Sequence, residues 1–261
     1  KGFSVEFAEH RAYQPGDDLR YIDWKIAARA ERMVVKQFEE ETNLRATIVL
    51  DVSRSMAWTG APTRLTKLAY AERLAAAIAL LLIRQRDAVG LVRFDDRVRS
   101  SIPPRARHGH WRRVVAALDE PGAGQGSDGP GALAQAARLV RRAGLVLLVS
   151  DLLMDAPEVD RAVRGLRAAG HDVTVLHLMD PAERDLDVAG EALFVDPETG
   201  DEVPATPAEV RDAYRATVER AIAEWRQLFA AAGAGYEIFD TSMPFGVPLR
   251  RAFSAREAMP R

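Results

Sequence analysis

The 261-residue chain contains no cysteine. That excludes disulfides, thiolate metal sites and a cysteine nucleophile, and it suits a reducing compartment. Long hydrophobic runs are also lacking. The longest, Leu74–Ile83 (LAAAIALLLI), falls well short of the ~20 apolar residues that span a bilayer and reads as a buried helix. No signal peptide is visible. The abrupt opening KGFSVEF is what is expected of a fragment whose N-terminal lead or anchor has been removed. Neither sign of charge is in excess. Lys and Arg number 36 against 38 Asp and Glu, a net charge of −2, so no global field gathers nucleic acid or an acidic membrane surface. Lysine is scarce: Lys1, Lys25, Lys36 and Lys67 stand among many arginines.

What remains is an ordinary folded composition, 48% hydrophobic and 28% charged, long enough for one large domain or one domain with a modest extension. Five near-continuous apolar segments read as strands buried on both faces: Thr47–Leu50, Ala88–Phe94, Leu145–Val149, Val173–Leu178 and Tyr236–Phe239. Between them lie helical patterns. In Leu65–Ile83 the apolar positions Leu68, Ala71, Leu74, Ala75, Ile78, Leu81 and Leu82 form one stripe, with Thr63 as the expected N-cap. Further helices are expected at Trp111–Leu118, Ala132–Arg142, Glu158–Ala169 and Ala208–Ala231. Alternation of this kind predicts a doubly wound α/β fold with a mostly parallel sheet. Asp95-Asp96 is a turn, which makes Val98–Ile102 one antiparallel edge strand. Residues 1–45 form an N-terminal, β-containing extension with a turn at Gln14–Asp17 and a strand at Met33–Phe38. Residues 46–261 form the main domain, with a strand-turn-strand insertion at about 183–206.

The strand TIVL runs directly into Asp51-Val52-Ser53-Arg54-Ser55, and LVLLV runs into Ser150-Asp151. In open α/β sheets ligands bind beyond the carboxyl ends of strands, where the strand order reverses. If these two strands are neighbours across that point, Asp51 and Asp151 converge there with Ser53 and Ser55 between them. Carboxylates and hydroxyls are hard oxygen donors, suited to Mg²⁺, Mn²⁺ or Ca²⁺ rather than Zn²⁺. Mg²⁺ is the first expectation, with a coordination position left open for a partner's carboxylate.

Asp51-x-Ser53-x-Ser55 resembles the metal-ion-dependent adhesion site (MIDAS) of von Willebrand factor A domains, a Rossmann-like fold. The resemblance implies a third-loop aspartate at Asp151. It also implies a second-loop hydroxyl in GAGQGSDGPG, where Ser127 stands in place of the family's Thr and Asp128 is the alternative. Upstream, RAYQPGDDLRYIDWKIAAR and VVKQFEEETN, and downstream GHDVTVLHLMDPAE and DPETG, resemble the bacterial family called "domain of unknown function 58". The abundance of Arg and Ala accords with a GC-rich bacterial genome. The resemblance implies a metal-dependent protein-binding adaptor, with a MoxR-type AAA+ ATPase as partner, in assembly, chaperone-like or stress and envelope functions. A cytoplasmic location is expected, with membrane tethering outside this chain left open.

Competing readings exist for each motif. Asp51, Ser53 and Ser55 also suit helix N-capping. An Mg²⁺-dependent phosphohydrolase with Asp51 as nucleophile is the alternative function, but such enzymes usually carry a second Asp at the position of Ser53. No G-x-x-x-x-G-K-[ST] loop or G-x-S-x-G elbow is present, so no catalytic residue is assigned. Nucleic-acid binding is not expected, because the arginines are interleaved with acids. His108 and His110 read as loop residues, His171 and His177 as turn and strand positions, and Glu39-Glu40-Glu41 as a solvated run. Asp17, Asp18, Arg20 and Asp23 beside Trp24 read either as an ion-pair and turn network or as a partner surface.

Overall fold

The protein is described from a computed structural model. It describes residues 4–30, 33–41, 44–107, 109–121, 131–186, 192–195 and 202–257. The chain divides into two compact units, Lys1–Asn43 and Leu44–Arg261.

In the first unit, β1 (Ser4–Ala12) and β2 (Val34–Glu41) pair antiparallel, with an irregularity between Phe7 and Glu9, and α1 (Trp24–Ala30) lies between them in sequence. The turn expected at Gln14–Asp17 forms. Gly16 takes φ +107°, and the Gln14 amide donates to Asp17 Oδ2 at 2.8 Å. Arg11 pairs with the other oxygen of Asp17 at 2.7 Å. Asp23 caps α1, its Oδ1 accepting from the amides of Lys25 (3.0 Å) and Ile26 (3.3 Å). The clustered acids of this stretch thus hold its turns. Trp24 stays largely exposed.

The second unit is an α/β sandwich. In chain order it comprises β3 (Arg45–Asp51), α2 (Lys67–Arg84), β4 (Ala88–Phe94), β5 (Val98–Arg105), α3 (His110–Leu118), α4 (Ala132–Leu139), β6 (Leu145–Ser150) and α5 (Ala156–Ala168). There follow β7 (Asp172–Met179), α6 (Pro181–Asp185), β8 (Ala192–Val195), β9 (Glu202–Ala205), α7 (Pro207–Ala231), β10 (Gly235–Asp240) and α8 (Gly246–Glu257). The six-stranded sheet has the order β10-β7-β6-β3-β4-β5, parallel except for the β4–β5 pair. This is the mostly parallel, Rossmann-like sheet with one antiparallel edge strand that the sequence predicts.

Successive side chains of a strand point to opposite faces, so continuous apolar runs supply two cores. Ile48, Leu50, Leu91, Leu147 and Val149 pack with α2, α3 and α8 on one face. Val49, Val92, Val146, Leu148, Val173 and Val175 pack with α4, α5 and Phe229 of α7 on the other. β8 and β9 pair as a small antiparallel ribbon inside the expected insertion. The DPETG turn lies outside the described residues.

The structure departs from the sequence reading in several places. Thr66, not Thr63, caps α2, its hydroxyl accepting from the Ala69 amide at 3.1 Å. β5 runs three residues beyond Ile102 through Pro103 and Pro104. An edge strand tolerates this at a bulge: Pro103 and Pro104 together stand opposite Gly90, where the β4–β5 register shifts. Gly90 of β4 faces that segment so closely that a Cβ would lie 2.7 Å from the Ile102 carbonyl oxygen and 2.8 Å from Pro104. β1, α1 and α8 have no counterpart in the sequence reading. Among the described residues, no helix is long and apolar enough to cross a membrane.

Candidate functional site

From β3 the chain winds outward through β4 and β5, then returns to the other side of β3 to lay down β6, β7 and β10. The winding therefore reverses between β3 and β6, and there the carboxyl ends of two parallel strands stand side by side: Leu50 pairs with Val149, leaving Asp51 level with Ser150. The Ser150 hydroxyl donates to Asp51 Oδ2 at 2.7 Å, across 99 residues of sequence. Asp51 Oδ1 accepts from the Ser53 amide at 2.9 Å, closing a tight turn. Asp51 is buried, and burial, with the nearby charge of Asp151 next, pushes its carboxyl up to about 7. The hydrogen bonds from Ser150 and Ser53 oppose that rise.

Ser53 precedes a short 3-10 turn, Arg54–Ala57, but its side chain makes no capping bond. Its hydroxyl instead faces that of Ser55 at 3.1 Å, and both residues are buried. The capping alternative thus fails for Ser53, while Asp51 does engage a local amide. Asp151 behaves similarly, its Oδ1 accepting from the Leu153 amide at 3.2 Å. Between them Leu152 adopts φ +56°, a left-handed conformation costly for a leucine, and its amide donates to Ser150 Oγ at 2.9 Å.

Behind this loop stands His177 of β7. Its Nε2 lies 3.0 Å from the Asp151 carbonyl oxygen and its Nδ1 2.7 Å from the Tyr236 hydroxyl of β10. Burial pushes this imidazole down to about 4, so it is neutral near pH 7. A carbonyl can only accept, so Nε2 carries the proton and Nδ1 accepts from Tyr236. The loop after β6 is thereby anchored to the two strands beyond it.

The cluster contains one cation that sequence reasoning passes over. Lys67, the first residue of α2, has a fully buried side chain whose Nζ lies 2.8 Å from Asp151 Oδ2 and also pairs with Glu183 of α6. Burial works against its charge, but Asp151 and Glu183 outweigh burial and raise its pKa. Burial raises the Glu183 carboxyl, against the pull of Lys67. The available signal was a lone lysine opening the most apolar helix of an arginine-rich chain. Asp180, buried at the end of β7, holds the loop before α2. It accepts from Gly60 N (3.2 Å) and pairs with Arg64 (3.0 Å).

Of the expected site residues, Asp51, Ser53, Ser55 and Asp151 come together at one end of the sheet. Ser127 and Asp128 lie outside the described residues, as does His108. His110 is buried with Nε2 2.8 Å from the Val89 carbonyl oxygen, a structural bond. Among the described residues no group of three or more His, Cys, Asp or Glu is arranged to hold a metal. The donors gathered here are two carboxylates and neighbouring hydroxyls.

Fold and site together define a Rossmann-like α/β protein with an acidic, hydroxyl-bearing cluster at its topological switch point. The chain belongs to the family described as "Protein of unknown function DUF58", which matches residues 9–224. It is 31% identical over 202 residues to the uncharacterized protein Rv1480 of Mycobacterium tuberculosis and to the uncharacterized protein Mb1516 of Mycobacterium bovis. Each match covers 76% of this chain and 62% of the relative, so the chain spans less than two thirds of their length. Among solved structures it is similar to the conserved hypothetical protein BatB from Bacteroides thetaiotaomicron, with TM-score 0.49 and 16% identity over 82% of this chain and 98% of that one. It is also similar to an aerotolerance-related membrane protein from Bacteroides fragilis, with TM-score 0.49 and 18% identity over 83% and 96% of the two chains.

Proposed function

We propose that the second unit is a von Willebrand factor A-type module that binds a protein partner through a divalent cation held at Asp51, Ser53, Ser55 and Asp151. The convergence of Asp51 and Asp151 from neighbouring strand ends, with two buried hydroxyls beside them, is the observation that carries this reading. The donor set fits a hard cation. Two oxygens adjacent on an octahedral ion with ligands at 2.0–2.1 Å are ~3 Å apart, and the Ser53 and Ser55 hydroxyl oxygens are 3.1 Å apart. Mg²⁺ is the first candidate, with Mn²⁺ or Ca²⁺ as alternatives, and Ser127 is the hydroxyl assigned to complete the set. A cation here would supply a Lewis-acidic position for a partner's carboxylate. The chain's own residues orient the donors: Ser150 and the Ser53 amide fix the Asp51 carboxylate, and His177 fixes the loop bearing Asp151.

An adaptor role beside a MoxR-type AAA+ ATPase, in assembly or in stress and envelope functions, is the biological setting we assign to this module. The phosphohydrolase alternative has less support, because Ser53, not an acid, stands two residues beyond Asp51 and its hydroxyl faces Ser55. The test is thermal unfolding of the wild type and Asp151→Ala with Mg²⁺, Mn²⁺ or Ca²⁺. A cation at ~100 times its dissociation constant adds ~2.7 kcal/mol. At roughly 2–4 °C per kcal/mol, the wild type rises by several degrees and the variant does not. Equal shifts in both proteins, or none in either, would refute a cation-dependent module.

A further inference from the structure

Lys67 is placed against electrostatic habit. It opens α2 with its charge at the helix N-terminus, where the backbone dipole already presents positive charge and favours an anion. Its side chain has no exposure, and a buried ammonium persists only when it is paired. Three elements supply its surroundings. Asp151 at the end of β6 and Glu183 of α6 give it carboxylates. The Trp58 ring, on the loop that begins at Asp51, lies 5.8 Å from Nζ. The same loop is tied to the lysine's backbone, since the Lys67 amide donates to the Trp58 carbonyl at 3.1 Å. The ammonium thus sits on the oxygen of Asp151 that its local turn leaves over, because Oδ1 is taken by the Leu153 amide and Oδ2 faces Lys67.

The geometry points to Lys67 as a resident cation of this site, one that competes with a divalent ion for Asp151 and is received by Glu183 when the divalent ion binds. The inference rests on reading Asp51, Ser53, Ser55 and Asp151 as a cation site, and it adds a regulator to that site. Glu183 is suited to the receiving role. It already contacts the ammonium, its side chain is a quarter exposed, and its other oxygen is held by the Asp180 amide at 3.2 Å, so the acceptor is fixed in place. Only the Lys67–Asp151 contact has to open. The site's divalent affinity is then set by the balance between two carboxylates for one lysine, and a partner contacting Trp58 or α6 would tilt it.

The probe is Mn²⁺, titrated into the intact chain with the free ion followed by electron paramagnetic resonance. A unit charge a few ångströms from a divalent ion opposes binding by roughly 100-fold or more even at the effective dielectric of a protein surface. Lys67→Met is therefore expected to bind Mn²⁺ at least ~100-fold more tightly than the wild type, and Asp51→Ala in that background to lose the gain. Lys67→Arg, which keeps the charge, stays near the wild type. Glu183→Gln keeps Lys67 but removes its acceptor, and is expected to weaken Mn²⁺ binding by about 10-fold. In the Lys67→Met background the same change removes only the direct attraction of Glu183 for the ion, so its effect is expected to be smaller than with Lys67 present, because two residues that share a network are not additive. Equal affinity in wild type and Lys67→Met overturns the inference while leaving the cation site standing. No binding in either overturns both. Binding by Lys67→Met alone supports the inference and removes the cation-dependent module of the unmodified chain. Should Lys67→Met fail to fold, Glu183→Gln decides, and unchanged affinity there overturns the inference.

Discussion

Replacing Asp51 with Asn should remove a loss of stability that the wild type suffers as pH rises towards 7. In the folded chain the Asp51 carboxyl titrates at about 7, against an ordinary value of 3.8. Between these values the folded state keeps a proton that the unfolded chain releases, so stability falls as pH rises. One pKa unit is worth about 1.4 kcal/mol, so the loss approaches ~4 kcal/mol above pH 7. His177 works in the opposite direction. Its folded value is about 4 against an ordinary 6.5, so the unfolded chain binds a proton that the folded chain refuses. Stability is gained as pH rises from 4 to 6.5, by ~3 kcal/mol. The two contributions nearly cancel in the wild type. Asn keeps the shape and the acceptor for the Ser53 amide, and the Ser150 hydroxyl can accept where it formerly donated. Urea unfolding in EDTA from pH 4 to 8 should show Asp51→Asn gaining on the wild type by about 4 kcal/mol across that range. A difference between the two proteins that stays constant with pH would refute the claim that burial holds Asp51 protonated.

Tyr236→Phe leaves the buried His177 Nδ1 without a donor while preserving ring stacking on Phe229. It should cost about 1–3 kcal/mol in urea unfolding, and an unchanged midpoint would show that the bond does not hold the strand pair. Thr66→Ala should lose ~1 kcal/mol whereas Thr63→Ala is near neutral, measured the same way; the reverse order would restore the cap expected from sequence.

The core strands were legible because parallel strands buried on both faces leave near-continuous apolar runs, as β3, β4, β6 and β7 do, and even the edge strand β10 keeps a short apolar segment around Glu237. The pairing of β6 with β3 could be expected because the long connection from Phe94 to Leu145 lets β6 start the second half of the sheet. Asp51 and Asp151 were legible for the same reason, since each ends such a run. Lys67 was not, because its meaning comes from Glu183, 116 residues away, and no local pattern records that distance. Thr66 lost to Thr63 in the sequence reading because both precede the apolar stripe, and only the backbone path decides which hydroxyl meets a free amide. α8 escaped notice because its apolar positions are sparse, with Pro248 and Ala252 buried among its described side chains. β5 was cut short because paired prolines usually end a strand, a rule that a bulge on an edge strand suspends.

The strand order also fixes when the site can exist during synthesis. β3, β4 and β5 lie consecutively in the chain and can pair as soon as they emerge, but the other flank of β3 is closed only by β6, about a hundred residues later. Until then the nascent chain presents a central apolar strand with an open edge, the kind of surface that pairs with other chains. The arrival of β6 seals that edge and in the same event sets Ser150 on Asp51 and Asp151 on Lys67. Cation binding at this cluster would therefore report the docking of β6 on β3, and a ribosome-bound chain truncated before Leu145 should lack it.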